Sequence, residues 1–274
     1  TRGVSEERLP DGVHPSPCLG MCDQAPAAFV TEAGARPRRV SLGDVSTDRL
    51  GRLTADATPR RPIPQVGQAD LVLLARAGRV DPLDFDAWVT DGGLRALERA
   101  RQIGADGVIE VVDAAGLVGR GGAAFPTARK WQAVRSQDAS PRHLVCNADE
   151  SEPGTFKDRV LMETDPYALL ESMTIAALAA ECTHGWIYLR GEYPEVEATL
   201  TSAIDRFQRQ GILGDGFDIT LRRGAGAYIC GEETAIFNSI EGFRGEPRNK
   251  PPYPFEQGLF ELPTVVNNVE TLMN

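Results

Sequence analysis

The sequence predicts an α/β protein, and three observations carry that expectation. From about residue 69 onward, short apolar runs of strand length alternate with longer segments whose apolar residues return at helical spacing. Glycine-rich turns stand between them, most visibly "GLVGRGGAAFPTARKW" (116–131) and "GAGAYICGEETAIF" (224–237). The composition, 42% hydrophobic and 25% charged, is that of a globular chain, and 274 residues suffice for one large domain or two ordinary ones. Alternating strands and helices imply a largely parallel or mixed sheet with helices packed on it.

Residues 1–50 read as a small, partial α/β segment, in which "AAFVTEAG" and "RRVSLGDV" are strand-like runs parted by a glycine turn. Residues 51–68, rich in proline and polar side chains, read as a linker. Residues 69–274 then read as one continuous domain. "HLVCNA" (143–148) is a short strand running into a loop. "DPYALLESMTIAALAAEC" opens a helix, with Asp165 as N-cap and Pro166 at the first helical position. "GWIYLRGEYP" (185–194) is a strand ending in a turn. The next helix lines up Val196, Leu200, Ile204 and Phe207 on one face and ends at Gly211, which suits the C′ position. "FDITLR" (217–222) alternates as a half-buried strand does.

A net charge of −10 disfavours nucleic acid as a partner, because phosphate backbones need a basic face. Apolar runs such as "TIAALAA" (174–180) are too short to span a bilayer, so no direct membrane insertion is expected. The opening residues lack the apolar core of a signal peptide, and the protein reads as cytoplasmic. Five cysteines, an odd and sparse set, do not suggest a disulfide framework; Cys18 and Cys22 stand out as a close pair on a loop. The missing initiator Met and the ending "NNVETLMN" suggest a piece of something longer.

Four stretches are candidates for chemistry. In the first, Gly119, Gly121 and Gly122 surround Arg120 ahead of a helix that contains Lys130. Bare backbone N–H groups, a helix start and nearby cations suit an anion, although a tight turn alone explains the glycines and the spacing is not a dinucleotide fingerprint. In the second, "CNADESEPGTFKDR" (146–159), Asn147, Asp149, Glu150 and Glu152 follow a strand end, where open α/β sheets place ligands. They suit sugar hydroxyls and the amide edge of a flavin, and equally a solvated acidic loop or a divalent metal. In the third, Glu232 and Glu233 begin a helix after Tyr228 and Gly231. Capping explains the acids, and they would repel a phosphate. The fourth, "RGEPRNKPPYPFEQGLF" (244–260), cannot be helical. It reads as a surface loop or as a lid, with Tyr253 as a stacking platform and Lys250 near a pyrophosphate. The three histidines, His14, His143 and His184, are scattered, and no nucleophilic triad can be assembled.

Together with "TVVNNVETL" (264–272), these stretches resemble, in the same order, the flavin- and NADH-binding subunit of respiratory complex I, the F-type subunit of NADH-quinone oxidoreductase. They equally resemble the related diaphorase subunits of NAD-dependent formate dehydrogenases and NAD-reducing hydrogenases. The resemblance covers roughly residues 70–274. It implies a Rossmann-like FMN-binding domain and an NADH dehydrogenase module that moves a hydride between NADH and FMN. It implies no catalytic side chain, since that chemistry is cofactor-borne. By the same resemblance, Gly119, Arg120, Gly121, Gly122 and Lys130 would hold the FMN phosphate region, and Asn147, Asp149 and Glu150 would contact the flavin. Tyr228, Gly231, Glu232 and Glu233 would line the flavin and NADH pocket. Asn267 and Asn268 would close the FMN site, and Phe125, Glu152 and Tyr253 would flank NADH. Val118, Ala124 and Ala133 depart from the family, which usually has Arg, Gly and an aromatic there.

"CLGMCDQAPA" (18–27) resembles the second half of a thioredoxin-like ferredoxin domain, in which four cysteines hold a 2Fe–2S cluster. Cys18 and Cys22 would be two of them. The other two have no counterpart, so a truncated domain without its own cluster is expected. The family's 4Fe–4S cysteines are expected only beyond residue 274. Electrons would pass to iron–sulfur subunits of a larger complex. The competing readings are an NAD+-reducing diaphorase, a flavin-free interaction subunit and a generic phosphate-binding domain; the glutamates of "CGEETA" argue against the last.

Overall fold

A computed structural model describes residues 9–16, 18–57, 63 and 65–274. Strands β1 (Ala28–Glu32) and β2 (Arg38–Leu42) form an antiparallel hairpin with Ala28 opposite Leu42. The helices are α1 (Phe85–Thr90), α2 (Arg95–Ala114, interrupted at Gly104), α3 (Thr127–Arg135) and α4 (Lys157–Thr164). They continue with α5 (Pro166–Ala180), α6 (Pro194–Arg209), α7 (Glu233–Ile240) and α8 (Val269–Met273). Strands β3 (His143–Ala148), β4 (His184–Leu189), β5 (Asp218–Arg223) and β6 (Thr264–Asn268) make one parallel sheet in the order β5-β4-β3-β6.

Both faces of this sheet are covered, which is why Leu144, Val145 and Cys146 of β3 are apolar in succession rather than alternating with polar residues. Leu144, Cys146 and Ala148 face the main core with Leu169, Met173 and Ala176 of α5. Val145, Tyr188 and Val266 face a smaller cluster with Ile236, Phe237 and Ile240 of α7. The α5 boundaries follow local sequence: Asp165 accepts from the Ala168 N–H, and Pro166 opens the helix. The end of α6 does too, where Gly211 takes φ +66° and donates to the Gln208 carbonyl. Phe85, Trp88, Tyr167 and Phe207 lock α1, α5 and α6 together, with Tyr167 stacked on Phe207 at 5.7 Å.

Two expectations change. The N-terminal segment has no α-helix among its described residues; its elements are the hairpin and 3-10 turns at Cys22–Gln24 and Thr47–Arg52. The linker expected from residue 51 starts later. Leu53, Ala55 and Ala57 pack on Val40, Leu42 and Val45 of the hairpin, and the Ala55 N–H donates to Glu32. A turn at Thr54–Ala57, closed by the Ala57 N–H on the Thr54 carbonyl at 3.2 Å, brings these apolar residues onto the hairpin. Residues 58–62 and 64 of the expected linker, and 1–8 and 17 of the N-terminal segment, lie outside the described residues.

The hairpin segment is docked on the sheet domain. The Ser41 N–H donates to Glu195 at 2.8 Å, and the Ser41 hydroxyl donates to the Glu192 carbonyl at 2.9 Å. Among the described residues no helix is long and apolar enough to cross a membrane.

Candidate functional site

Parallel strands deliver their C-terminal ends to one edge of the sheet, and the loops that follow them build the site there. Asn147 near the end of β3 donates to the Gly231 carbonyl at 2.8 Å, tying the acidic loop to the turn before α7. Its side-chain oxygen accepts the Asp149 N–H at 3.1 Å. The Asp149 Oδ2 accepts from the Ser151 hydroxyl at 2.7 Å, while its Oδ1 is buried with no partner. Burial pushes this carboxyl up to about 6. A side chain at Gly231 would come within 3.6 Å of the Asp149 carbonyl, so the two loops meet at close range.

Glu150 points elsewhere. Its carboxylate accepts the N–H groups of Asp158 (2.8 Å) and Arg159 (3.0 Å) at the start of α4, and the Tyr193 hydroxyl at 3.1 Å. Both oxygens are therefore used inside the protein, capping a helix from eight residues upstream. Burial, with the charge of Asp158 behind it, pushes Glu150 up to about 7.

The loop ahead of α3 is closed by the Gly119 N–H on the Phe125 carbonyl and the Thr127 N–H on the Leu117 carbonyl, each at 2.9 Å. Gly122 lies at φ +113° and Ala124 at φ +50°. A Cβ at Gly121 would sit 3.3 Å from that of Asn268, so glycine is needed for the close approach to the end of β6. The Arg120 N–H donates to Thr271 of α8 at 2.8 Å, while its side chain is exposed. From the same end of β6, Asn267 accepts the Trp131 indole N–H at 2.8 Å. Asn268 caps α8, accepts from Lys157 at 2.9 Å and donates to Asp158 at 2.6 Å.

Lys130 donates to the Val266 carbonyl at 2.9 Å. Burial lowers its pKa; the charge of Glu233 opposes this and that of Lys250 adds to it, so the three share one neighbourhood. Glu232 is the N-cap of α7, accepting the Thr234 and Ala235 N–H groups at 2.9 Å. Lys250 bridges Glu232 at 3.1 Å and Glu233 at 2.6 Å.

The segment 244–260 is strapped rather than free. Arg248 donates to Asn238 at 2.9 Å and to the Gly258 carbonyl at 3.0 Å. One face of Tyr253 is taken by Phe255, stacked at 5.8 Å. Phe125, Tyr228 and Tyr253 are exposed on the bounding loops, and Tyr228 donates to Glu152 at 2.6 Å.

Sequence reasoning missed Lys157, Asp158, Trp131 and Thr271, although each lies inside a quoted motif. It also missed Arg190, buried beside the acidic loop and donating to the Glu150 carbonyl at 2.6 Å, which no local signal marks. His143 and His184 are not scattered: they sit opposite each other on β3 and β4, at the other end of the sheet. A surface cavity of about 440 Å³ lined by Asp84, Tyr167 and Arg206 is separate from the cluster and borders none of its motif residues. Cys18 is half-buried and Cys22 exposed, both as free thiols. Among the described residues no group of three or more His, Cys, Asp or Glu side chains could hold a metal ion, and two thiols do not fit a 2Fe–2S cluster, which takes four protein ligands.

The fold and site define a Rossmann-like α/β domain with a cluster of polar side chains at the strand ends. The Nuo51 FMN-binding domain matches residues 112–274, and the chain belongs to that family. The F subunit of the NADH-quinone oxidoreductase of Aquifex aeolicus is 50% identical over 210 residues, 74% of this chain and 49% of that protein. The alpha subunit of the NAD-reducing hydrogenase HoxS of Cupriavidus necator is 38% identical over 273 residues, 95% of this chain and 45% of that protein. A crystal structure of an NAD+-reducing nickel–iron hydrogenase in the H2-reduced state matches with a TM-score of 0.74 at 35% identity, over 93% of this chain and 43% of that one. The chain thus spans about half the length of the relatives it matches.

Proposed function

We propose that this chain is the flavin- and NADH-binding part of an NADH:acceptor oxidoreductase, moving a hydride between NADH and FMN and working in the cytoplasm. The single observation that carries the reading beyond the family is the buried, unpartnered Oδ1 of Asp149, set between Asn147 and Gly231. A buried polar atom without a partner is costly, and a ribityl hydroxyl or ring N–H would satisfy it.

The residues present fit the cofactor. Gly119, Arg120, Gly121 and Gly122 offer bare backbone and a free guanidinium for the phosphate region. Lys130 has two ammonium protons left after its bond to Val266. Asn147 and Asp149 face the flavin, while Glu150 shapes their loop from behind. Gly231 allows close approach, and Asn267 and Asn268 hold the β6 end. Glu232 and Glu233, held by Lys250, bound the side where a sugar hydroxyl is welcome and a further phosphate is not. Phe125, Glu152, Tyr228 and Tyr253 flank the nicotinamide dinucleotide. Bound FMN supplies the hydride acceptor; the side chains bind, align and exclude water. Electrons leave through iron–sulfur centres of partner chains.

A second reading, the NAD+-reducing direction, is favoured by one observation. The hydrogenase protein aligns over 95% of this chain, N-terminal segment included, whereas the Aquifex protein aligns over 74%.

FMN titration followed by flavin fluorescence tests the site. Asp149→Ala weakens binding about tenfold or more, as expected for losing a bond to a charged group, while Asp113→Ala, on the exposed face of α2, leaves it unchanged. Equal affinity in both variants contradicts the assignment.

A further inference from the structure

We infer that Trp131 is a positioning residue for the flavin: its indole N–H holds the Asn267 side chain so that the amide nitrogen, and not the oxygen, meets an acceptor atom of the bound flavin. This deepens the FMN reading above and rests on it.

The two asparagines that end β6 do different work. Successive strand residues point to opposite faces. Asn267 lies level with Cys146, on the side of α3 and α5, and Asn268 level with Asn147, on the side of α7. The Asn268 amide is fully engaged inside the protein. Its oxygen accepts from Lys157 at 2.9 Å and from the Glu270 N–H at 3.1 Å. Its nitrogen donates to Asp158 at 2.6 Å and to the Asn147 carbonyl at 3.5 Å. An amide has two N–H bonds and two oxygen lone pairs, so Asn268 has nothing left for a ligand.

Asn267 is 4% exposed, yet its side chain makes one hydrogen bond among the described residues: its oxygen accepts the Trp131 indole N–H at 2.8 Å. An indole nitrogen can only donate. It therefore selects which end of the amide turns towards it, and both amide N–H bonds are left over. Near-buried donors without an acceptor are costly, and a ligand that brings an acceptor removes the cost. Trp131 is itself 4% exposed and packs in the main core, which holds its ring in place. Its bond is not the rule for tryptophan here: Trp88 and Trp186 bury their indole nitrogens with no partner among the described residues.

The preceding residue reinforces the arrangement. Lys130 donates at 2.9 Å to the Val266 carbonyl, which belongs to the peptide unit leading into Asn267, and keeps two ammonium protons. Consecutive residues of α3 thus grip consecutive residues of β6. Two N–H bonds remain on Lys130 and two on Asn267, beside the helix that follows the glycine loop. Such a set suits the acceptor-rich parts of FMN, its phosphate or its ring carbonyls, and does not suit the ring N–H.

The test is titration of the full chain with FMN and with riboflavin, followed by flavin fluorescence, with a urea midpoint for each variant. Trp131→Phe keeps an aromatic ring and removes the N–H; it should weaken FMN binding about threefold, and Asn267→Leu about tenfold, the ordinary range for one hydrogen bond. The double variant should bind no worse than Asn267→Leu alone, because Trp131 acts through the amide. Asn267→Asp still accepts the indole N–H but presents a carboxylate oxygen, and at about pH 8, where that group is ionised, it should bind FMN more weakly than Asn267→Leu. A loss in Trp131→Phe that is confined to FMN puts the acceptor on the phosphate; an equal loss with riboflavin puts it on the rest of the flavin. Losses that add in the double variant overturn the positioning role, since a packing defect would add. Asn267→Asp that binds as tightly as the wild type overturns the donor assignment. The Trp131 indole signal, followed by NMR with isotopically labelled tryptophan, decides the bond even where Trp131→Phe does not fold: it should move upfield in Asn267→Leu, and an unmoved signal overturns the inference. A wild type that binds neither flavin contradicts the FMN reading itself, whatever the indole signal shows.

Discussion

Ala124 sits at φ +50°, in the left-handed region, within the loop that brings Gly121 to Asn268. A Cβ there costs about 1–2 kcal/mol relative to glycine. Ala124→Gly should therefore stabilise the closed loop and tighten FMN binding, and an unchanged dissociation constant would show that the strain is not felt at the site. Glu150 makes a second prediction. Its ordinary value of 4.5 rises to about 7 in the fold, so the native state holds a proton that the unfolded chain has released. Stability from this group is greatest below pH 4.5 and declines as pH rises through about 7. Asp149, raised from 3.8 to about 6, acts in the same sense at slightly lower pH. Urea midpoints measured across this range should fall as pH rises, and Glu150→Gln should flatten the upper part of the slope.

At the scale of elements, helix ends written in adjacent residues were legible and those written at a distance were not. Asp165, Pro166 and Gly211 announce the ends of α5 and α6, because the side chain or φ that makes the cap belongs to the residue at the end. Nothing beside α4 announces Glu150 as its cap, since the acid comes from the preceding loop and reaches the helix only once that loop has folded back. Segment 244–260 was recognised as non-helical from its prolines, but its strapping depends on Arg248 meeting Asn238 across the fold. The motif residues that the fold gathers at the candidate site are visible in the sequence as glycines, acids and amides; the residues that pack behind them, Arg190 and Tyr193, are not, because an arginine or tyrosine after a strand has many ordinary uses. The cap of α7 is testable. Glu232→Ala should cost about 1 kcal/mol and leave Lys250 with Glu233 alone, so the denaturation midpoint and FMN affinity should both drop.

For the whole molecule, the parallel sheet sets the site at one edge, and the N-terminal segment closes over that edge from behind. Arg159 joins the two, pairing with Asp23 at 2.8 Å and Glu163 at 3.1 Å from a buried position. Removing one partner of a buried pair costs about 3–5 kcal/mol. Arg159→Ala should lower the urea midpoint by that order, and limited proteolysis should cut between the hairpin and the sheet domain sooner than in the wild type. Unchanged proteolysis would mean that the Ser41 bonds and the Arg190 bond to the Cys18 carbonyl hold the segment without Arg159. The extent of the hydrogenase alignment, which includes this segment, fits an architecture in which hairpin and flavin domain work as one body.

The central claim is that the strand-end loops bind FMN where NADH can reach it. The direct measurement is the absorbance spectrum of the FMN-loaded protein before and after anaerobic NADH. The account predicts flavin bands that bleach on NADH addition in the wild type and bands that are absent or much reduced in Asp149→Ala. Bound flavin that NADH leaves oxidised would contradict the hydride step, and a protein that retains no flavin would contradict the site.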